Sequence, residues 1–170
     1  MPLFALFVTL LAWAAAALFV AAGAMLTYEV GARYFFTAPT IWAAELSQLC
    51  LIWGSLVAMA WCLRERRHIR ITAITGLLPR GPRLIAEAAA MLTVAVFSVV
   101  VVWKGFEIFW DSFERGRTTG SMLDLPIWIT ELAIPFGFAV LLAQALVEAL
   151  RAARGEVPED GAQGEGGMGE

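Results

Sequence analysis

The chain of 170 residues is strongly apolar, since 60% of its residues are hydrophobic and only 16% are charged. This composition excludes an ordinary soluble domain and indicates an integral membrane protein. Its length allows about four membrane-spanning helices of about 20 residues each, joined by short loops, and no separate soluble domain. The predicted fold class is therefore all-α, with one transmembrane domain over residues 1–150.

Four apolar segments predict the membrane spans, at about residues 3–27, 41–63, 84–103 and 126–150. All four are predicted to be helices, because lipid permits only helices or closed barrels and these segments lack the alternation of a barrel strand. A cleaved secretory signal is the alternative for the first segment, which offers small-residue cleavage sites. We interpret it as a retained span, because its apolar run is too long for a signal and no basic region precedes it.

Arginines indicate the orientation of these spans. Six of them lie in the segment RERRHIRITAITGLLPRGPR between the second and third spans, and two more follow the fourth span. Because positively charged loops stay in the cytoplasm, both termini are predicted to be cytoplasmic. Ile71, Ile74 and Leu78 have helical spacing, which favours a short interfacial segment lying on the cytoplasmic surface, with a plain topological signal as the alternative. Its candidate lipid-contacting residues are Arg64, Arg66, Arg67, His68 and Arg70.

The net charge of −3 belongs to the C-terminal segment, since residues 151–170 carry five acidic and two basic side chains. This segment is rich in Gly and Glu and has little apolar surface to bury. It is predicted to be a disordered acidic cytoplasmic tail.

Few residues offer catalytic or metal-binding chemistry. The two cysteines, Cys50 and Cys62, are more than three helical turns apart and cannot reach each other. The single histidine, His68, excludes a haem held by two histidines of this chain. No phosphate loop, nucleophile elbow or metalloprotease signature is present. We therefore expect no enzymatic activity, no cofactor or metal, and no nucleic-acid partner.

Glu45 is the conspicuous charge, because it lies in the first turns of the second predicted span, one turn after Trp42. Three interpretations stay open: an interfacial ion pair with Arg33, a contact with another subunit, and a carboxylate that carries a proton or ion. Glu131 has a similar position in the fourth span. The charges predicted at span ends, in contact with water, are Glu87, Lys104, Glu107 and Glu148.

No predicted span has a charge at its centre, whereas an ion-coupled carrier ordinarily needs a polar site near the midplane. Trp53 lies mid-span beside Gly54, a small residue that permits a close helix crossing. We interpret Trp53 as a packing residue rather than a ligand contact.

Several runs occur in a familiar order. EVGARYFFTAPTIWAAELS covers residues 29–47, WGSLVAMAW covers 53–61 and RERRHIRI covers 64–71. SMLDLPIW follows at 121–128 and IPFGF at 134–138. Over roughly residues 28–150 the chain resembles the DctQ-like small membrane subunit of tripartite ATP-independent periplasmic (TRAP) transporters. It departs from that family's usual pattern at Ala44 and Thr72, where an acidic residue is common.

The resemblance implies a heteromeric importer in the bacterial inner membrane. In such systems a periplasmic solute-binding protein (DctP-like) delivers a carboxylate-bearing solute to a large permease subunit (DctM-like), which moves it with sodium. The small subunit belongs to the stationary scaffold, so this chain is expected to hold no substrate or sodium site. Its expected partners are those two proteins and membrane lipids.

The candidate interface or structural residues are Arg33, Tyr34, Trp42, Glu45, Trp53, Gly54, Pro126, Trp128, Glu131, Pro135 and Gly137. Two other functions stay open at this point. One is an autonomous four-helix carrier that uses Glu45 or Glu131 as a proton site, and the other is a membrane anchor for an enzyme complex.

Overall fold

The computed structural model describes residues 2–65, 80–121 and 123–153. For residues 2, 80–88, 152 and 153 it describes the backbone only. These residues form four helices: α1 (Pro2–Phe36), α2 (Trp42–Arg64), α3 (Arg80–Arg115) and α4 (Ile127–Ala153). Each helix is long and apolar enough to cross a membrane, so the predicted all-α fold with four spans is confirmed.

The helices extend past the predicted spans. α1 and α3 have 35 and 36 residues, well beyond the roughly 20 that cross the hydrocarbon. A helix can continue past its first charged residue. The predicted limits at 27 and 103 therefore gave the ends of the apolar segments and not the ends of the helices. The first three residues of the predicted tail, 151–153, are likewise helical. The remainder of that tail and the interfacial residues Arg66, Arg67, His68 and Arg70 lie outside the described residues.

The helices pack as two pairs, α1 with α2 and α3 with α4, and α2 also packs against α4. Glycines allow the close approaches. A Cβ at Gly137 of α4 would lie 2.8 Å from the Cβ and 2.9 Å from the carbonyl oxygen of Leu56 in α2. A Cβ at Gly54 would lie 3.4 Å from the Phe19 ring of α1. Lipid supplies no hydrophobic force between helices, so such close packing holds them together.

Within the described residues, two small apolar clusters lie between the helices. Leu63, Met91, Ala95, Leu141 and Ala145 join α2, α3 and α4. Val8, Ala60 and Val140 join α1, α2 and α4. Many large apolar side chains of α1 and α3 are exposed instead, as expected for a chain whose outer surface meets lipid or another membrane protein.

The register of α3 against α4 is fixed at three levels. The Phe113 ring meets the edge of Trp128 at a centroid distance of 5.7 Å. Further into the pair, a Cβ at Gly105 would lie 3.2 Å from Cδ of Pro135. These contacts run in opposite directions along the two chains, so α3 and α4 are antiparallel. The Phe97 and Phe138 rings meet at 5.9 Å still deeper in the pair.

The crossing at Gly137 predicts a stability difference between two Gly→Ala substitutions. In Gly137→Ala the new methyl group collides with Leu56, and overpacking of this kind costs about 1–3 kcal/mol. At Gly23 a Cβ meets nothing within 4 Å, so Gly23→Ala should be neutral or stabilising, because Ala favours a helix over Gly. Thermal unfolding in one detergent compares the two variants. A Gly137→Ala protein as stable as the parent would contradict the crossing.

Candidate subunit interface

Glu29, near the end of α1, is the centre of a polar network at the connection to α2. Its side chain is buried, with 5% of the residue exposed. Arg33 donates to Oε1 of Glu29 from Nη2 at 2.6 Å and from Nε at 3.2 Å. The backbone N–H of Thr40 donates to Oε2 at 2.8 Å, and the Thr40 hydroxyl also hydrogen-bonds that oxygen. This network holds the chain between α1 and α2, where Thr37 has a φ of 52°.

Of the three interpretations of Glu45, the ion pair with Arg33 is wrong. Arg33 pairs with Glu29, which lies four residues earlier on the same face of α1. Glu29 was not among the predicted site residues. The signal that identifies it is a Glu and an Arg at helical spacing directly after an uncharged run of 27 residues, 2–28.

Glu45 contacts the connection between α3 and α4 instead. Oγ of Ser121 donates to Oε2 of Glu45 at 2.7 Å. Among the described residues no basic side chain pairs with Glu45. A cavity of about 280 Å³ lies beside the carboxylate, just below the size range of ligand sites. Its polar lining consists of Glu45, Gln48, Thr119, Ser121 and Thr130.

Backbone hydrogen bonds order the connection that carries Ser121. Thr118 and Pro126 form an antiparallel bridge, and the N–H of Thr119 donates to the carbonyl of Leu125 at 2.9 Å. The chain turns inside this loop, where Gly120 has a φ of 61° that favours glycine. Pro126 therefore lies directly before α4 in a fixed position, and Ser121 is held toward Glu45.

The predicted tryptophans join neighbouring elements. Trp42 stacks on Tyr28 of α1 at a centroid distance of 6.0 Å. Nε1 of Trp53 donates to the carbonyl of Ile129 in α4 at 3.1 Å, and its ring also contacts Phe136. Trp53 is therefore a packing residue between α2 and α4. Trp128 lies against α3, as described above, while Tyr34 is exposed near the end of α1.

Glu131 is partly buried in the second turn of α4. Its Oε2 atom is buried and has no hydrogen-bond partner among the described residues, and the same holds for Oγ of Ser112 in α3. A buried polar atom without a partner costs free energy, and in the described part of the chain these two are the buried side-chain atoms in that situation. Pro135, one turn further, contacts α3 at Gly105.

The opposite ends of the helices carry a second polar group. Nη1 of Arg64 donates to the carbonyl of Ala5 at 2.7 Å and to Oγ1 of Thr9 at 2.9 Å, so it ties α2 to α1. Glu148 was predicted to be solvated, and this is wrong. It is buried and accepts hydrogen bonds from Gln144 and Arg151, each at 3.0 Å, because it lies on the packed face of α4.

Within the described residues, no three His, Cys, Asp or Glu side chains lie close enough together to hold a metal ion. The polar groups instead form separate small networks at the two ends of the helices. These networks connect helix ends, and the Glu45 carboxylate beside the cavity stays accessible to further contacts.

Comparison with known protein families identifies a match over most of the chain. Residues 22–155 match the family described as tripartite ATP-independent periplasmic transporters, DctQ component. The chain belongs to this family. The resemblance predicted from the order of sequence runs is therefore confirmed.

Individual relatives of this DctQ-family chain carry related names. It is 28% identical over 84 residues to the sialic acid TRAP transporter small permease protein SiaQ of Vibrio cholerae, covering 49% of each chain. It is 27% identical over 128 residues to the ectoine TRAP transporter small permease protein TeaB of Halomonas elongata, covering 73% of this chain and 61% of TeaB. The match thus spans about half to three fifths of these relatives. Both are transporter subunits rather than enzymes.

The Glu29 network predicts that Glu29→Ala destabilises the protein. The substitution removes the acceptor of Arg33 and Thr40, and hydrogen bonds to a charged group contribute about 1.5–3 kcal/mol. Glu114→Ala is the matched control, because Glu114 is exposed and bonds Trp110 of its own helix. Thermal unfolding of both variants in detergent measures the difference. Equal stability of the two would contradict a structural role for Glu29.

Proposed function

We propose that this chain is the small permease subunit of a TRAP transporter in the bacterial inner membrane, where it acts as a scaffold for the large, DctM-like permease subunit. One comparison carries the proposal. The chain is 26% identical over 100 residues to the sialic acid TRAP transporter permease protein SiaT of Haemophilus influenzae, and the match covers 59% of this chain but only 16% of SiaT. A segment similar to this chain is there continuous with a much larger permease.

The distribution of charge supports a scaffold rather than an autonomous carrier. In α1, α2 and α4 no Asp, Glu, Lys, Arg or His lies between the outer carboxylates Glu29, Glu45 and Glu131 and the inner residues Arg64 and Glu148. In α3 the Lys104–Glu107 pair is exposed on the outer surface and does not lie between helices. An ion-coupled carrier needs polar groups near the midplane. The solute and coupling-ion sites are therefore assigned to the large subunit, with a carboxylate-bearing solute and sodium as the proposed cargo.

The proposed orientation places both termini in the cytoplasm, as the arginines of the inner segment indicate. The α1–α2 turn and the α3–α4 connection then face the periplasm. There the cavity beside Glu45 offers a carboxylate, hydroxyl groups and a small apolar wall. Such a surface suits a basic side chain of the large subunit or of the DctP-like solute-binding protein.

Reconstitution tests this function directly. Proteoliposomes that contain this chain alone should show no solute uptake, because it has no translocation site of its own. Uptake should appear when the large permease subunit and the solute-loaded binding protein are added. Uptake by the chain alone would contradict the proposal and favour an autonomous carrier.

Charge at Glu45 should matter for assembly or docking. Glu45→Lys should lower uptake by about tenfold or more, because reversed charge at a docking surface repels a basic partner. Glu45→Gln retains an acceptor for Ser121 and should have a smaller effect. Solute binding by the isolated binding protein should be the same in every case. Normal uptake and normal complex yield with Glu45→Lys would overturn this role.

A further inference from the structure

Three polar side chains form a small network on the surface of α3. Nζ of Lys104 bonds Oε2 of Glu107 at 2.8 Å, and Nε1 of Trp103 donates to Oε1 at 2.8 Å. The Lys104 and Glu107 side chains are 68% and 53% exposed. We call Trp103, Lys104 and Glu107 the α3 triad. It faces away from α4, because the contacts of α3 with α4 run through Gly105 and Phe109.

The register of α3 and α4 sets the depth of the α3 triad. Trp128 begins α4 at the level where an aromatic belt is expected, and Phe113 lies beside it. Gly105 lies beside Pro135, seven residues further along α4, which is about 10 Å at 1.5 Å per residue. Lys104 is therefore about 10 Å inside the level of Trp128, within a hydrocarbon half-thickness of about 15 Å.

The register of α3 with α4 indicates a deeper position for Lys104 and Glu107 than the sequence prediction, which is the end of a span in contact with water. Charged side chains at hydrocarbon depth are costly and almost always face protein or a water-filled cavity. An outward-facing ion pair at this depth therefore indicates a protein neighbour rather than lipid.

An apolar groove continues the same surface. It has a volume of about 420 Å³ and lies between α2 and α3, over α4. Phe97 lines this groove, is 59% exposed, and precedes Lys104 by two helical turns. It lies at the border between the α3 triad and the face of α3 that contacts Phe138 of α4. A helix that runs along α3 would fill the groove and cover the α3 triad. The other groove-lining residues are Met59, Leu63, Thr93, Val94, Phe138 and Leu141.

The exposed face of α1 is the opposite case. Residues 2–28 contain no charged side chain, and large apolar residues such as Leu10, Trp13 and Val20 are exposed there. Such a surface is compatible with lipid along its whole length. The exposed face of α3 therefore carries charged side chains, which lipid disfavours, and the exposed face of α1 over residues 2–28 carries none.

We propose that the face of α3 formed by Phe97, Val100 and the α3 triad docks against a transmembrane helix of the large permease subunit, which presents hydrogen-bonding groups to Lys104 and Glu107. This inference rests on the proposed function and names the surface that performs it. A soluble binding protein does not reach hydrocarbon depth. The fused relative SiaT supports a membrane permease as the neighbour, since a segment similar to this chain lies within that permease.

Photo-cross-linking tests the docking face in the intact transporter. The photoreactive residue p-benzoylphenylalanine replaces Phe97, or Val20 of α1 as a control that is 73% exposed, in cells that also produce the large permease and the binding protein. Irradiation should join the large permease to position 97 and not to position 20. Adducts to lipid only, to a second copy of this chain, or equally from both positions would each overturn the assignment to α3.

Affinity purification of the chain without the photoreactive residue distinguishes a failure of the α3 assignment from a failure of the proposed scaffold function. When the large permease co-purifies but position 97 does not cross-link to it, the α3 assignment is wrong and the scaffold function stands. When the large permease does not co-purify, both the scaffold function and this inference are wrong.

Removing the charges of Lys104 and Glu107 gives a second test, because the expected result differs between a face that contacts lipid and a face that contacts protein. In the double variant Lys104→Leu with Glu107→Leu, leucines replace the two charges, and a face that contacts lipid would tolerate this change. An unchanged or larger yield of the complex with the large permease would therefore overturn the inference. We expect the large permease recovered per small subunit to fall by roughly threefold or more, the effect of losing interhelical hydrogen bonds in a membrane. Lys104→Arg retains the charge and should preserve most of the complex.

Discussion

The fold depends on the close crossing of α2 and α4. α1 packs on α2 and α3 packs on α4, so contact between α2 and α4 joins the two pairs. Gly137 allows this approach against Leu56, and the hydrogen bond from Trp53 to the Ile129 carbonyl reinforces the outer side of the crossing. Because lipid provides no hydrophobic force between helices, small residues and polar contacts at such crossings determine the arrangement. The positions of the Glu45 cavity and of the exposed α3 face follow from it.

In α1, α2 and α4 the helix centres are uncharged, and charged side chains connect the elements near the helix ends. Glu29 binds Arg33 and Thr40 at one end, and Arg64 ties α1 to α2 at the other. Neither network surrounds a passage through the membrane. The outward-facing charges of α3 lie on a surface and not in a channel between the helices. This arrangement agrees with the proposed scaffold role, in which a larger partner moves the solute.

Sequence predicted the four helices and the family, because long uncharged runs and the order of short motifs are properties of the chain itself. Contacts between distant residues were harder to predict. Spacing allowed Arg33 to pair with either Glu29 or Glu45, and the choice depends on the turn that brings Thr40 to Glu29. The burial of Glu148 depends on the rotation of α4, which is a property of helix packing rather than of local sequence.

The most direct test of the scaffold role is to identify what this chain binds in its native membrane. The chain carries an affinity tag at a terminus, is extracted in mild detergent, and its co-purifying proteins are quantified by mass spectrometry. The account predicts a large multispanning TRAP permease in about equal amount. Recovery of the chain alone, or with a soluble catalytic subunit in place of that permease, would contradict it.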